Sequence, residues 1–180
     1  KDLGLRGVMM SGNPQEEDFD SEIYNPVWEK AIELDLPVSF HILTTRGGGH
    51  RGPRINSFLS IIRGNQDIMG TLIFGGVFDR FPKAKLVLGH MGETLPYQLW
   101  RFDSRWKICN AKDRRLELPP SDYMKRNLWV TSSGVFSDEP LKCALAALGE
   151  DRVLFSVDHP FEQAQLATEW IENADITAET

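Results

Sequence analysis

At 180 residues, with 41% hydrophobic and 26% charged side chains, the chain has the composition of one ordinary globular domain with its own core. Its 20 basic against 26 acidic residues leave a net charge of −6, which argues against a nucleic-acid binder that neutralises phosphates along a basic face. No apolar stretch reaches the length of a membrane span, Lys1-Asp2-Leu3-Gly4 lacks a signal-peptide profile, and Cys109 and Cys143 form no C-x-x-C pair, so a cytoplasmic protein without a membrane partner is expected.

Gly7-Val8-Met9-Met10 reads as a short strand closed by the turn cluster Ser11-Gly12-Asn13-Pro14. Asn25-Pro26 opens a helix, with Asn as N-cap and Pro where its missing N–H costs nothing; Val27, Ala31 and Leu34 recur at helical spacing beside Trp28 and Ile32. Pro37 opens a strand from Val38 to Leu43. The glycine-rich stretch 46–53 is a loop. After it come a helix with Ile55, Phe58, Leu59 and Ile62 and a second helical piece from Ile68 to Phe78, which Phe81-Pro82 ends. Leu86 to Leu88 is the next strand and Leu95 to Trp106 the next helix. The run Lys112-Asp113-Arg114-Arg115 reads as a solvated loop. Residues 116–127 read as irregular chain with a short helical turn, and Leu128 to Thr131 as a strand ending in Ser132-Ser133-Gly134. Ser137-Asp138-Glu139-Pro140 caps a helix that Gly149 stops after Leu148. Val153 to Asp158 is the fifth strand and Gln163 to Asn173 the last helix.

A helix after every strand is the pattern of parallel βα units. Five units do not close an eight-stranded barrel. An open doubly wound sheet would carry a glycine-rich phosphate turn after its first strand, and Gly12-Asn13-Pro14 is not one. The expected fold is therefore α/β: one domain over residues 1–180 that forms the C-terminal part of a (β/α)8 TIM barrel, with the first three βα units absent. The chain lacks an initiator Met and begins as though cut from something longer.

Three of the apolar runs end in His41, His90 and Asp158, at intervals of 49 and 68 residues. Barrel strands would gather all three at one face, where the catalytic groups of such folds collect. Each residue also has a plainer reading. His41 fits a core histidine satisfied by a backbone carbonyl, and Asp158 a carboxylate with a structural partner, although burying it needs that partner or a cation. Glu93 could orient the His90 imidazole or cap the following helix. Arg101 and Asp103 on that helix would by default form an ion pair without a role. His159 adjoins a strand end and so can line the pocket, and His50 is a weaker candidate.

Leu88-Gly89-His90-Met91-Gly92-Glu93, followed by Leu95-Pro96-Tyr97 and Trp100-Arg101-Phe102-Asp103, together with Thr131-Ser132-Ser133-Gly134 and the stretch from Asp151 to Glu162, resembles a known group. That group is the metal-dependent decarboxylase branch of the amidohydrolase superfamily. It includes aminocarboxymuconate-semialdehyde decarboxylase and the nonoxidative decarboxylases of γ-resorcylate, 2,3-dihydroxybenzoate and 5-carboxyvanillate. The resemblance covers nearly the whole chain, in register from the fourth barrel strand to the eighth. It implies that His41 and Asp158 are metal ligands, that His90 is a catalytic acid/base beside them, and that Asp158 shares the proton handling. It implies that Arg101 holds a substrate carboxylate in a neighbouring subunit's site, hence a homo-oligomer (dimer or tetramer); Glu93 and His159, by their positions beside His90 and Asp158, are expected at the substrate too. The group's first strand, which carries further ligands as His-x-His or a Glu variant, has no counterpart here.

The implied activity is nonoxidative decarboxylation of a hydroxylated aromatic or muconate-type carboxylic acid, with a small-molecule acid as partner and Zn2+ or Mn2+ as cofactor. A hydrolase or hydratase using a metal-activated water on the same scaffold is the alternative, and a noncatalytic remnant is a third possibility.

Overall fold

Val38-Ser39-Phe40-His41 and Leu128-Trp129-Val130-Thr131 alternate a side chain that must leave water with one that need not, the period-two pattern of a strand with two unlike faces. In the computed structural model, which describes residues 2–11, 17–41, 53–108 and 116–176, both are strands of one sheet. Its strands are β1 (Val8–Ser11), β2 (Val38–His41), β3 (Leu86–Leu88), β4 (Leu128–Thr131) and β5 (Val153–Leu154). All neighbours are parallel and lie in sequence order, β1-β2-β3-β4-β5. A doubly wound sheet reverses its strand order at a switch point, whereas a barrel adds each strand beside the last. The observed order is therefore that of consecutive units of a (β/α)8 barrel. Among the described residues β1 and β5 each pair on one side only, so the barrel wall is open between them.

Helices supply the crossovers. α1 (Asn25–Glu33) follows β1, α2 (Pro53–Phe74) and α3 (Val77–Arg80) follow β2, and α4 (Leu95–Ile108) and α5 (Pro120–Asn127) follow β3. α6 (Asp138–Leu148) follows β4, and α7 (Ala164–Asn173) follows β5. The core lies on the helix side of the sheet. Val38, Phe40, Leu86, Leu88, Leu128 and Val130 are buried in one cluster with helix residues such as Trp28, Leu72, Leu95 and Leu141. The alternate residues Ser39, His41, Val87, Trp129 and Thr131 are only half-buried, so the other face of the sheet, a barrel's interior, is partly open. No helix among the described residues is long and apolar enough to cross a membrane.

Four elements differ from expectation, for physical reasons. Asn25 is the first helical residue of α1; Tyr24 is the N-cap and makes no side-chain cap. The helix after the glycine loop is one 22-residue α2, not two pieces. Gly64 lies inside it, and an interior glycine costs only about 1 kcal/mol against alanine, too little to break a helix held by packing. Residues 120–127 form a two-turn helix, because its cap comes from another element. Asp103 on α4 accepts bonds from the Ser121 backbone N–H (2.9 Å) and hydroxyl (2.7 Å), so its carboxylate is engaged with Ser121 and not set aside for Arg101. Strand β5 stops at Leu154, not Asp158, because the Ser132 side chain takes over from the ladder. Its hydroxyl donates to Ser156 O (2.7 Å) and accepts from Ser156 N–H (2.9 Å), which peels residues 155–158 away toward the strand-end face. The turn at 12–14, strand residues 42–43, the loop with His50, Cys109 and the charge run 112–115 lie outside the described residues, as do the side chains of Ile55 and Phe58.

Asn127, 1% exposed at the end of α5, donates to Pro82 O (3.0 Å) and Ala84 O (2.8 Å) and ties the approach to β3 to the start of β4. Asn127→Leu leaves those carbonyls unpaired and is expected to cost about 2 kcal/mol in urea unfolding. An unchanged midpoint would contradict this role.

Candidate active site

Parallel order places the C-terminal ends of neighbouring strands side by side, and four of them build one site. His41 is the last residue of β2, His90 follows β3 by two residues, Ser133 and Gly134 follow β4, and Asp158 follows β5. His90 Nδ1 lies 2.8 Å from the Ser133 carbonyl oxygen. A carbonyl only accepts, so Nδ1 carries the proton and Nε2 is left as the basic nitrogen. The His41 and His90 ring centroids are 6.4 Å apart and inclined by 58°. Two imidazoles that far apart could share an ion only at a near-linear angle. Gly134, at φ +66°, wedges between the other members: a Cβ there would stand 3.1 Å from Asp158 Oδ2 and 3.2 Å from His90 Nδ1.

The backbone that carries His90 is strained. His90, Met91, Gly92 and Glu93 have φ of 57°, 53°, 67° and 55°, four successive left-handed residues of which three bear side chains. Each such non-glycine residue costs of order 1–3 kcal/mol and persists only where its surroundings over-determine it. Met91 is buried as an anchor, Gly92 N–H donates to Gly89 O (2.9 Å), and Glu93 N–H donates to His90 O (2.8 Å). Gly92 packs so closely on β4 that a Cβ would meet Val130 Cγ1 at 2.8 Å. Asp158 is also left-handed, at φ 78°.

Burial raises the carboxyl pKa of Glu93 above its ordinary value, and the nearby His90 opposes this more weakly. His90 Nδ1 is already bonded to Ser133, so Glu93 is not the group that orients that nitrogen. Glu93 also lines a cavity of about 310 Å³ between α4 and α6, with Met91, Thr94, Tyr97, Glu139 and Cys143. His41, His90 and Asp158 are not among its lining residues, so this cavity is beside the strand-end cluster and not its centre.

His159 is exposed next to Asp158, and Arg101 is exposed on α4 in a stripe with Tyr97 and Trp100. Among the described residues neither makes a hydrogen bond or ion pair with His90. For a divalent cation, the imidazole of His41 and the carboxylate of Asp158 are suitable donors in kind. They are too few for a closed site: among the described residues no group of three or more His, Cys, Asp or Glu converges to hold an ion. Sequence reasoning missed the functions of the Ser133 carbonyl and Gly134. Their signal was the small-residue string Ser132-Ser133-Gly134 directly after a strand.

The chain matches the amidohydrolase family model over residues 1–180, and it belongs to that family. It is 34% identical to the γ-resorcylate decarboxylase of Polaromonas sp. JS666, over 98% of this chain and 58% of that protein. It is 32% identical to the decarboxylase orsB of Emericella nidulans, over 97% of this chain and 56% of that protein. The crystal structure of a dihydroxybenzoic acid decarboxylase from Polaromonas sp. JS666, with bound manganese and the inhibitor 2-nitroresorcinol, superposes with a TM-score of 0.78 at 31% identity, covering 99% of this chain and 57% of that one. The chain thus spans a little over half the length of these relatives.

Two substitutions test the local physics. Gly134→Ala is expected to cost about 1–2 kcal/mol in urea unfolding from its left-handed backbone alone, with crowding of Asp158 and His90 added; an undiminished midpoint would count against the wedge. For Glu93 the folded carboxyl holds its proton more tightly than the unfolded one, so folding loses stability as pH rises above the ordinary value of 4.5. Glu93→Gln is therefore expected to be more stable than the parent at neutral pH, with the advantage vanishing in acid. Parallel stability curves across that pH range would refute the assignment.

Proposed function

We propose that the chain is the C-terminal part, strands four to eight, of a metal-dependent nonoxidative decarboxylase acting on a small hydroxylated aromatic acid. The observation that carries this reading is the His90 ring, pinned through Nδ1 to Ser133 O so that Nε2 is free for proton transfer beside His41 and Asp158. The names of the relatives favour it over a hydrolase on the same scaffold: both curated proteins compared above are decarboxylases.

In this reading His41 and Asp158 would hold a divalent cation together with ligands from a first barrel strand. Manganese is bound in the related dihydroxybenzoic acid decarboxylase, and zinc suits the same His and carboxylate donors. When bound, such a cation would supply Lewis-acid polarisation of the substrate. His90, in its protonated form, delivers a proton from Nε2 to the ring carbon that bears the carboxylate. The C–C bond then breaks, its electron pair restores the ring, and carbon dioxide leaves. The reaction consumes one proton and yields the phenol, so His90 must be reprotonated from solvent each turnover. Asp158 serves as a second proton-handling group. Arg101 from a neighbouring copy would grip the substrate carboxylate through a bidentate contact, which makes the enzyme a homo-oligomer. His159 lines the substrate's approach at the exposed rim. We place the protein in the cytoplasm, where Cys143, a free thiol, stays reduced.

In the complete enzyme, His90→Ala is expected to lower carbon dioxide release from 2,6-dihydroxybenzoate by about 10²–10⁴-fold with metal content unchanged. His41→Ala and Asp158→Ala should instead lower the bound metal, read by elemental analysis. Undiminished turnover in His90→Ala would overturn its role, and lactone hydrolysis without carbon dioxide release would favour the hydrolase.

A further inference from the structure

Helix α2 buries Ile68, Met69, Leu72 and Ile73, yet Asn65, one turn earlier, is also buried at 3% exposure. An amide carries a desolvation cost in such a place unless it has a bonding task. Its Nδ2 is directed at Gly89 O, 3.4 Å away, the carbonyl that immediately precedes His90 and that Gly92 N–H also uses. The adjacent Gln66 donates through Nε2 to the Thr94 hydroxyl, the first residue beyond the left-handed run, and to Gln98 Oε1 (3.3 Å) in α4. Two consecutive residues of one helix therefore hold both ends of the four-residue run that presents His90. Within the run, Gly92 N–H and Glu93 N–H donate to Gly89 O and His90 O.

We infer that Asn65 and Gln66 are positioning residues for the proton-transfer step: they clamp the 90–93 turn in its left-handed form and thereby keep His90 Nδ1 on Ser133 O and Nε2 facing the substrate. The inference rests on the reading of His90 as the acid/base. α2 is the helix that follows β2, so the βα unit that ends its strand in His41 also sets the orientation of His90, and one unit couples the two halves of the site. Neither residue touches substrate; each acts through the backbone that bears His90.

The test uses the complete enzyme with Asn65→Leu, Asn65→Asp and Gln66→Met. These keep side-chain size while removing the amide donor. The expected result is a kcat about 10–100-fold lower, from a ring displaced by a fraction of its hydrogen-bond reach. KM should stay within about threefold, because ground-state binding is untouched. Metal content should match the parent, the lost bond should lower the melting temperature without preventing folding, and in a His90→Ala background the same substitutions should change residual turnover no further. Imidazole nitrogen NMR gives a readout apart from activity: the neutral His90 ring carries its proton on Nδ1 in the parent and shows mixed tautomers in the variants. Parental kcat, an equal drop without His90, or an unchanged tautomer would each overturn the inference. A parent that releases no carbon dioxide but shows the tautomer change in the variants would sink the decarboxylase reading and leave the clamp standing.

Discussion

One hydrogen bond decides what the strand-end cluster can do: the donation from His90 Nδ1 to the carbonyl of Ser133, across the gap between β3 and β4. It fixes the tautomer, fixes the ring plane, and leaves Nε2 as the exchangeable nitrogen. Everything around it maintains that geometry. The left-handed run lifts His90 off β3, Gly92 lets the run sit against Val130, and Gly134 leaves room for His90 and Asp158 to approach from either side. The strain concentrated in these residues is what a packed fold can tolerate locally when the result is a pre-aimed functional group.

The sheet makes the arrangement possible. Because β1 to β5 run parallel in sequence order, residues far apart in the chain become lateral neighbours along one edge. His41 meets His90 across one strand step, His90 meets Ser133 across the next, and Gly134 meets Asp158 across the third. The helices carry the apolar core on the opposite side and leave this edge polar and half-open. Membership of the amidohydrolase family agrees with this architecture, and the open side between β5 and β1 is where further units of a barrel would stand.

Much of this was legible in the sequence where the cause is local. The alternation in Val38-Ser39-Phe40-His41 and in Leu128-Trp129-Val130-Thr131 is a property of each segment alone, so strand positions, their parallel crossovers and the residues at their ends could be read directly. The misreadings of α5 and β5 share a different cause, a partner from elsewhere in the chain. Helix α5 needed the Asp103 cap from α4 before its two turns could be recognised. Strand β5 appeared six residues long because nothing in Phe155-Ser156-Val157-Asp158 announces that the Ser132 hydroxyl will capture Ser156. The site followed the same division. Candidate donors such as His41 and Asp158 stand out by type, whereas a Ser133 carbonyl and a Gly134 that matters for lacking a Cβ are marked only by a small-residue string, and an Asn65 that bonds backbone has no signature in its own neighbourhood.

The central claim is that His90 delivers a proton to a ring carbon as carbon dioxide leaves. The most direct measurement is turnover of 2,6-dihydroxybenzoate by the complete enzyme in D2O, with the product analysed by mass spectrometry and NMR. The account predicts a phenolic product carrying deuterium at the vacated carbon, formed at a rate that depends on His90. Retention of the carboxyl group, or deuterated product formed equally fast without His90, would contradict it.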